Sequence, residues 1–451
     1  MKIYLRRCAA ALFLLIMLCS CTAKPAVTSV SLPAAAQPEA SEPPASAEPR
    51  ETDVPPQPEP AQPTRLTLAI VADCPVLQSF TQMLQDFNRS QAQYQIEYTV
   101  YSDTGLPDTQ PAELLRTEIA AGKSPDLYAF YSDGNTAPPL TEKHVCADLL
   151  PLLGAEFAES SLVPNLYPLL TEDGCLYALP LTIEVDTLLG PASLFPRPGV
   201  TLSDLAAARQ QMPEGMVPLD SWRTPQNLFA LCASYCIGAY TDKDSGACNF
   251  ETQGFYDYLA WCRDWGSDDS TSSASERTLI QLCWINSFGQ LAGCSEAAEE
   301  YWFGEPDYTY IGFPTVDGSC GSGYRILTSL GVSPQCREPE GAKVFLAYCY
   351  SSLQGGFLPA NYDLLQAEMQ EYIAGNRIDD WYGEVQRVSE ADAAQFYALL
   401  DSVTVLESLD APLSELLLEE ANIYFSGGCT AEQAAKNIQS RASVYLQEQY
   451  G

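Results

Sequence analysis

The chain has 451 residues, 46% of them hydrophobic and 18% charged, the composition of a folded protein long enough to hold two separate cores. Its formal charge is −35, from 58 acidic against 23 basic side chains. A surface so acidic repels phosphate backbones and anionic lipid headgroups, which excludes nucleic acid as a partner and the bare membrane surface as a docking site.

At the start of the chain, Lys2, Arg6 and Arg7 precede an apolar run, "AAALFLLIMLC", from Ala9 to Cys19. The run is too short to cross a hydrocarbon core about 30 Å thick. Its charged entry and small-residue exit predict a secretory signal peptide over residues 1–20. The "LCSC" at 18–21 resembles a bacterial lipobox, in which the cut falls just before the cysteine whose sulfur takes the lipid. On that resemblance Cys21 opens the mature chain and carries the anchor, and loss of the leader takes the formal charge to −38. A linker, residues 21–64, follows: Thr22–Thr64 holds 11 of the 33 prolines and too little apolar surface to offset its ordering entropy. As polyproline II, at roughly 3.1 Å per residue, such a stretch reaches up to about 130 Å from the bilayer.

From Arg65 onward the pattern is that of an α/β protein. "RLTLAIVAD" reads as a strand, and the apolar Val76, Leu77, Phe80, Met83, Leu84 and Phe87 recur at the helical period. "YQIEYTVYS" is a second strand, "PAELLRTEIAAG" a helix closed by Gly122, and "SPDLYAFYSD" a third strand. Strand, helix, strand, helix, strand implies right-handed crossovers and a parallel sheet, whose ligands bind beyond the carboxyl ends of the strands. Asp73 and Asp133 fall at those ends. Farther on, "GCLYALPLTIEV" and "YTYIGFPTVDG" read as extended, Thr278 to Cys283 as a strand, and Leu202 to Met212, Phe255 to Trp265 and "GAKVFLAYCYS" as helices. The last 60 residues are mostly helical in pattern.

After Cys21, 13 of the 16 cysteines remain, an odd number without CxxC spacing. This argues against a complete disulfide framework and against a zinc site. Cys232 and Cys236 lie one helical turn apart but lack partners, and Cys283 and Cys349 sit in apolar runs as core residues do. His144 is the only histidine, which excludes histidine-based triads and zinc centres and reads as a loop residue. "DKDSG" from 242 begins like a calcium loop, but its glycine is one position early and Gln253 stands where the closing glutamate belongs. It reads as a turn, and no metal or cofactor is expected.

Taken together, "AAGKSPDLYAF" from 120, "GCLYALPLTIE" from 174, "YIGFPTVDG" from 310, "EPEGAKVFLAYCYSS" from 338 and "YFSGGCTAEQAAKNIQSRASVYL" from 424 carry a family resemblance in their order and spacing. The chain resembles the extracellular solute-binding proteins of ABC importers, in the branch that binds sugars and includes the maltose-binding proteins. The resemblance implies two α/β lobes of the type II periplasmic-binding-protein fold, joined by a hinge. The first lobe would take 65–180 and 309–345, the second 181–308 and 346–451. It also implies a monomer, lipid-anchored on the outer face of the cell membrane, that closes on a small solute and hands it to importer permease subunits.

The same resemblance nominates ligand residues. Counting from Pro125, Phe130 and Asp133 match the family's aromatic and its hydroxyl-binding aspartate. Glu184, four residues after Pro180, matches a ligand carboxylate, and Trp284 a stacking tryptophan; Trp222 and Tyr324 are further aromatic candidates. Independently of the family, a lone glutamate in an apolar strand must find a partner. Maltose binders carry a lysine in the first strand-to-helix loop, where this chain has "ADCPV", so maltodextrin itself is not implied. Two other readings stay open on sequence: a sensor or adhesin on the same fold, and a glycosidase using Asp133 with Glu184.

Overall fold

A computed structural model describes residues 62–71, 77–101, 111–131, 145–154, 161–171, 173–219, 224–242, 245–266, 277–352, 356–378, 385–407 and 411–450. The leader, Cys21 and the linker up to residue 61, with Asp73, Asp133, His144 and Trp222, lie outside them, and the last linker residue, Thr64, already opens a strand.

The opening units take the expected form. β1 (Thr64–Val71), α1 (Leu77–Ser90), β2 (Tyr94–Tyr101), α2 (Pro111–Ala120) and β3 (Leu127–Tyr131) follow one another, and β1 pairs in parallel with both β2 and β3. Phe80, Leu84 and Phe87 of α1 are buried, as their spacing requires. Asn88 fastens this helix to the sheet edge: its amide donates to Ile96 O at 3.0 Å and accepts from Ile96 N at 2.8 Å.

Beyond β3 the sheet is joined mainly by antiparallel pairings. β4 (Leu179–Pro191) carries β5 (Gln281–Ile285) and β6 (Tyr308–Tyr310) as antiparallel partners, and β7 (Gly323–Val332) lies between β4 and β3, antiparallel to both. Two short strands, β8 (Leu358–Pro359) and β9 (Val405–Leu406), complete a nine-stranded sheet by pairing with β4 and β7. All 13 residues of β4 are buried. Leu181, Ile183 and Val185 alternate with Thr182, Glu184 and Asp186, so one covered face of the strand is apolar and the other carries buried polar groups. "YTYIGFPTVDG" is a strand only over Tyr308–Tyr310; Gly312 and Gly318 then adopt positive φ, which ends the extension.

Helices cover the sheet around two main cores. α3 (Pro225–Cys236), α4 (Gln253–Trp265), α8 (Ala411–Phe425) and α9 (Ala431–Tyr450) supply one, with Leu228, Phe255, Leu417 and Ile438 fully or almost fully buried. The other holds β1 to β3 with α5 (Pro339–Tyr350) against β1, and α6 (Tyr362–Ala374) and α7 (Glu390–Ser402) beside β8 and β6, with Phe345, Leu365 and Phe396 buried in it. β4 belongs to both: Ile183 and Val185 enter the core of the parallel strands, Leu188 the second. Side-chain caps mark where α3, α4, α6 and α7 begin, from Thr224, Thr252, Asn361 and Ser389 in turn. Cys232 and Cys236 share α3, and all 12 cysteines among the described residues are free thiols. Among those residues no helix is long and apolar enough to cross a membrane.

Candidate functional site

Strand alternation assembles the site. Paired residues of antiparallel strands place their side chains on one face. β4 pairs Glu184 with Arg325 and Asp186 with Gly323 of β7, and Asp186 with Trp284 of β5. One sheet face, at the crossing from the first core to the second, therefore carries Glu184, Asp186, Arg325 and Trp284, with Asn286 one step beyond β5.

The two carboxylates in this buried strand meet one cation. Arg325 reaches Glu184 Oε1 from Nη1 at 3.2 Å and Asp186 Oδ2 from Nη2 at 2.9 Å. Its Nε lies 2.7 Å from Glu407 Oε2, an ion-pair distance without hydrogen-bond alignment. Glu407 arrives because β9 runs parallel to β7 and Glu407 N donates to Tyr324 O at 2.7 Å. Asn286 Nδ2 donates to Glu184 Oε2 at 2.7 Å, and the Tyr235 hydroxyl, from α3, donates to Asp186 Oδ2. Tyr235 can lie this close because residue 323 is glycine: a Cβ there would sit 2.2 Å from the Tyr235 ring.

Three carboxylates thus share one guanidinium, an excess of negative charge in a nearly dry place. Desolvation first, then repulsion from Glu184, raises the Asp186 carboxyl well above its ordinary value. Burial likewise raises Glu407. Burial alone would lower Arg325, but the surrounding Asp186, Tyr235, Glu407 and Glu184 outweigh it and hold the guanidinium cationic. Three buried oxygens on this face, Asp186 Oδ1, Glu407 Oε1 and Thr182 Oγ1, have no hydrogen-bond partner among the described residues.

The sequence-nominated residues divide by location. Glu184, 6% exposed, stands in this cluster, and the half-buried Trp284 stands on the same face against the second core. Tyr324 occupies the opposite face of β7, 0% exposed, its hydroxyl donating to Pro164 O at 2.9 Å. Phe130 is 2% exposed in a small third core, stacked on Tyr128 at 5.9 Å between ring centres. Sequence reasoning missed Arg325, Asp186, Asn286 and Tyr235. The available signal was a lone cation in the apolar "GYRILTSLGV" and a second carboxylate two residues after Glu184.

Known proteins place this fold. No curated protein sequence matches the chain. Among solved structures, a family 1 extracellular solute-binding protein from Alicyclobacillus acidocaldarius is similar, with a TM-score of 0.57 and 14% identity over 86% of this chain and 100% of that one. The cyclic α-maltosyl-1,6-maltose binding protein of Arthrobacter globiformis gives 0.56 and 13%, with the same coverage. The sugar-binding protein MalE of Xanthomonas citri gives 0.56 and 15%, over 85% and 98% of the two chains. At such identities the likeness establishes the α/β solute-binding fold and not the ligand. The profile of the family described as bacterial extracellular solute-binding protein matches residues 82–354, more than half of the sequence. The family is one of binding proteins that work outside the cytoplasm and not of enzymes, which sets the glycosidase reading aside. On that match the chain belongs to the bacterial extracellular solute-binding proteins.

Proposed function

We propose that the protein is anchored through a lipid on Cys21, captures a carbohydrate between two lobes, and delivers it to an ABC importer. The first lobe is built on β1 to β3 and β7, the second on α3, α4, α8 and α9, and β4 is the hinge strand between them. One observation carries the reading: the face of β4, β5 and β7 at the crossing of the two cores sets a carboxylate, Glu184, beside an aromatic, Trp284. Sugars ask for this pair, an acceptor for hydroxyls and a flat apolar surface for the C–H face. The ligands of similar proteins, a cyclic maltosyl-maltose in one and mannotriose in another of TM-score 0.51, support oligosaccharides as the class. A ligand touching both lobes favours the closed form by its extra affinity for it.

Calorimetry with maltotriose, mannotriose and cyclic tetrasaccharides tests the proposal. Binding is expected for at least one, with a smaller radius of gyration by solution scattering at saturation. Trp284→Ala should weaken that binding by about 1 to 4 kcal/mol, roughly 5-fold to nearly 1,000-fold. No binding across the panel would refute the carbohydrate class, and identical scattering curves at saturation would refute the hinge.

A further inference from the structure

We propose that Arg325 is the positioning residue of this site: its guanidinium fixes the Glu184 carboxylate and, through Asp186 and Tyr235, fastens the strand crossing to the second core. The inference rests on the reading that Glu184 meets the ligand.

A glutamate side chain has three rotatable bonds, and a carboxylate meant to meet hydroxyls loses affinity for every orientation it samples unbound. Here both Glu184 oxygens are held, Oε1 by Arg325 and Oε2 by Asn286. Each guanidinium nitrogen serves a different carboxylate: Nη1 faces Glu184, Nη2 faces Asp186, and Nε faces Glu407. That division needs a planar fork and is closed to a lysine, whose single ammonium can approach one or two of them. Asp186 Oδ2 in turn takes both Arg325 Nη2 and the hydroxyl of Tyr235, and the Tyr235 ring stacks on Phe313 at 4.9 Å, inside the second core. An unbroken chain of contacts runs from Glu184 through Arg325 and Asp186 to a helix of the other core. Moving that helix relative to β4 pulls on the group that orients Glu184, so ligand orientation and lobe placement share one connection.

The test uses the mature protein and carbodiimide coupling of an amine to carboxylates, read residue by residue by mass spectrometry. In the wild type Glu184 should resist coupling while Glu97 and Glu419, about half exposed, react. Arg325→Lys should free Glu184 to couple about tenfold faster, the ratio that a local loss of roughly 1.4 kcal/mol allows, with Glu97 and Glu419 unchanged. Tyr308→Phe is the matched control, because it removes a buried hydrogen bond to Asp392 at the far end of β4 and leaves the Arg325 contacts intact. It should lower the urea midpoint and keep Glu184 protected. Equal Glu184 coupling in wild type and Arg325→Lys, or equal release in both variants, would overturn the proposal. If maltotriose or mannotriose binds the wild type, Arg325→Lys should bind about tenfold more weakly at an unchanged heat-capacity signature. If neither binds, the carbohydrate class falls and the coupling result still decides the role of Arg325.

Discussion

Replacing Gly323 with alanine tests how the second core reaches the charged cluster. A Cβ at this position would lie 2.2 Å from Cδ1 and Cε1 of Tyr235. Carbon atoms rest at about 3.5 to 4.0 Å, so the ring would have to move by more than about 1 Å. Movement is resisted at two points, by the Phe313 ring stacked on it at 4.9 Å and by the hydrogen bond from its hydroxyl to Asp186. Overpacking a core costs about 1 to 3 kcal/mol, and withdrawing the hydroxyl from a buried carboxyl adds about 1 to 3 more. Gly323→Ala should therefore lose about 2 to 6 kcal/mol, read from urea unfolding with an unchanged slope. The same substitution in a Tyr235→Ala background should cost less than about 1 kcal/mol, because the atoms it would strike are gone. An equal cost in both backgrounds, or none in the first, would refute the packing argument.

Asp186→Asn should change the pH dependence of stability. Because the folded carboxyl holds its proton more tightly than the unfolded one, its contribution is full below the ordinary value of 3.8 and is lost as pH rises through the raised folded value. Urea midpoints across pH 4 to 8 should therefore fall less steeply in the variant than in the wild type, and parallel curves would contradict the assignment. Tyr324→Phe should cost about 0.5 to 1.5 kcal/mol of stability and leave sugar affinity unchanged, as calorimetry beside unfolding curves would show. Cys21→Ser should abolish lipid labelling and release the protein or leave it unprocessed; a labelled variant would locate the anchor elsewhere.

Local pattern made the opening units of the fold legible. The apolar, β-branched and aromatic runs of β1 to β3 and the 3.6 period of α1 are properties of short segments, and the structure repeats them within a few residues. β7 was not legible, because "GYRILTSLGV" has neither alternation nor a turn signal inside it, and only its two neighbours make it a strand. An amphipathic helix announces that it buries a face and not which core it faces, so the pattern of α5 to α9 does not say where one lobe ends. At the site, Glu184 was visible as a charge in an apolar strand, but its partner Arg325 lies far along the chain. Burial chemistry demands such a partner and leaves its address to the fold. Trp284 and Tyr324 read alike as aromatics; their different places follow from which strand face each occupies.

The strand order also bears on how the chain comes to be folded at all. β3 has β1 on one side, but its other neighbour is β7, where Leu127 meets Val332, and β4 cannot be covered until β5, β6 and β7 exist. The early part of the chain therefore lacks the sheet it needs while it is being made. For a protein exported behind a leader, as proposed, that delay is an advantage: a segment that cannot close early remains threadable through a narrow channel. Folding then becomes an event of the far side of the membrane, completed only when the last strands arrive.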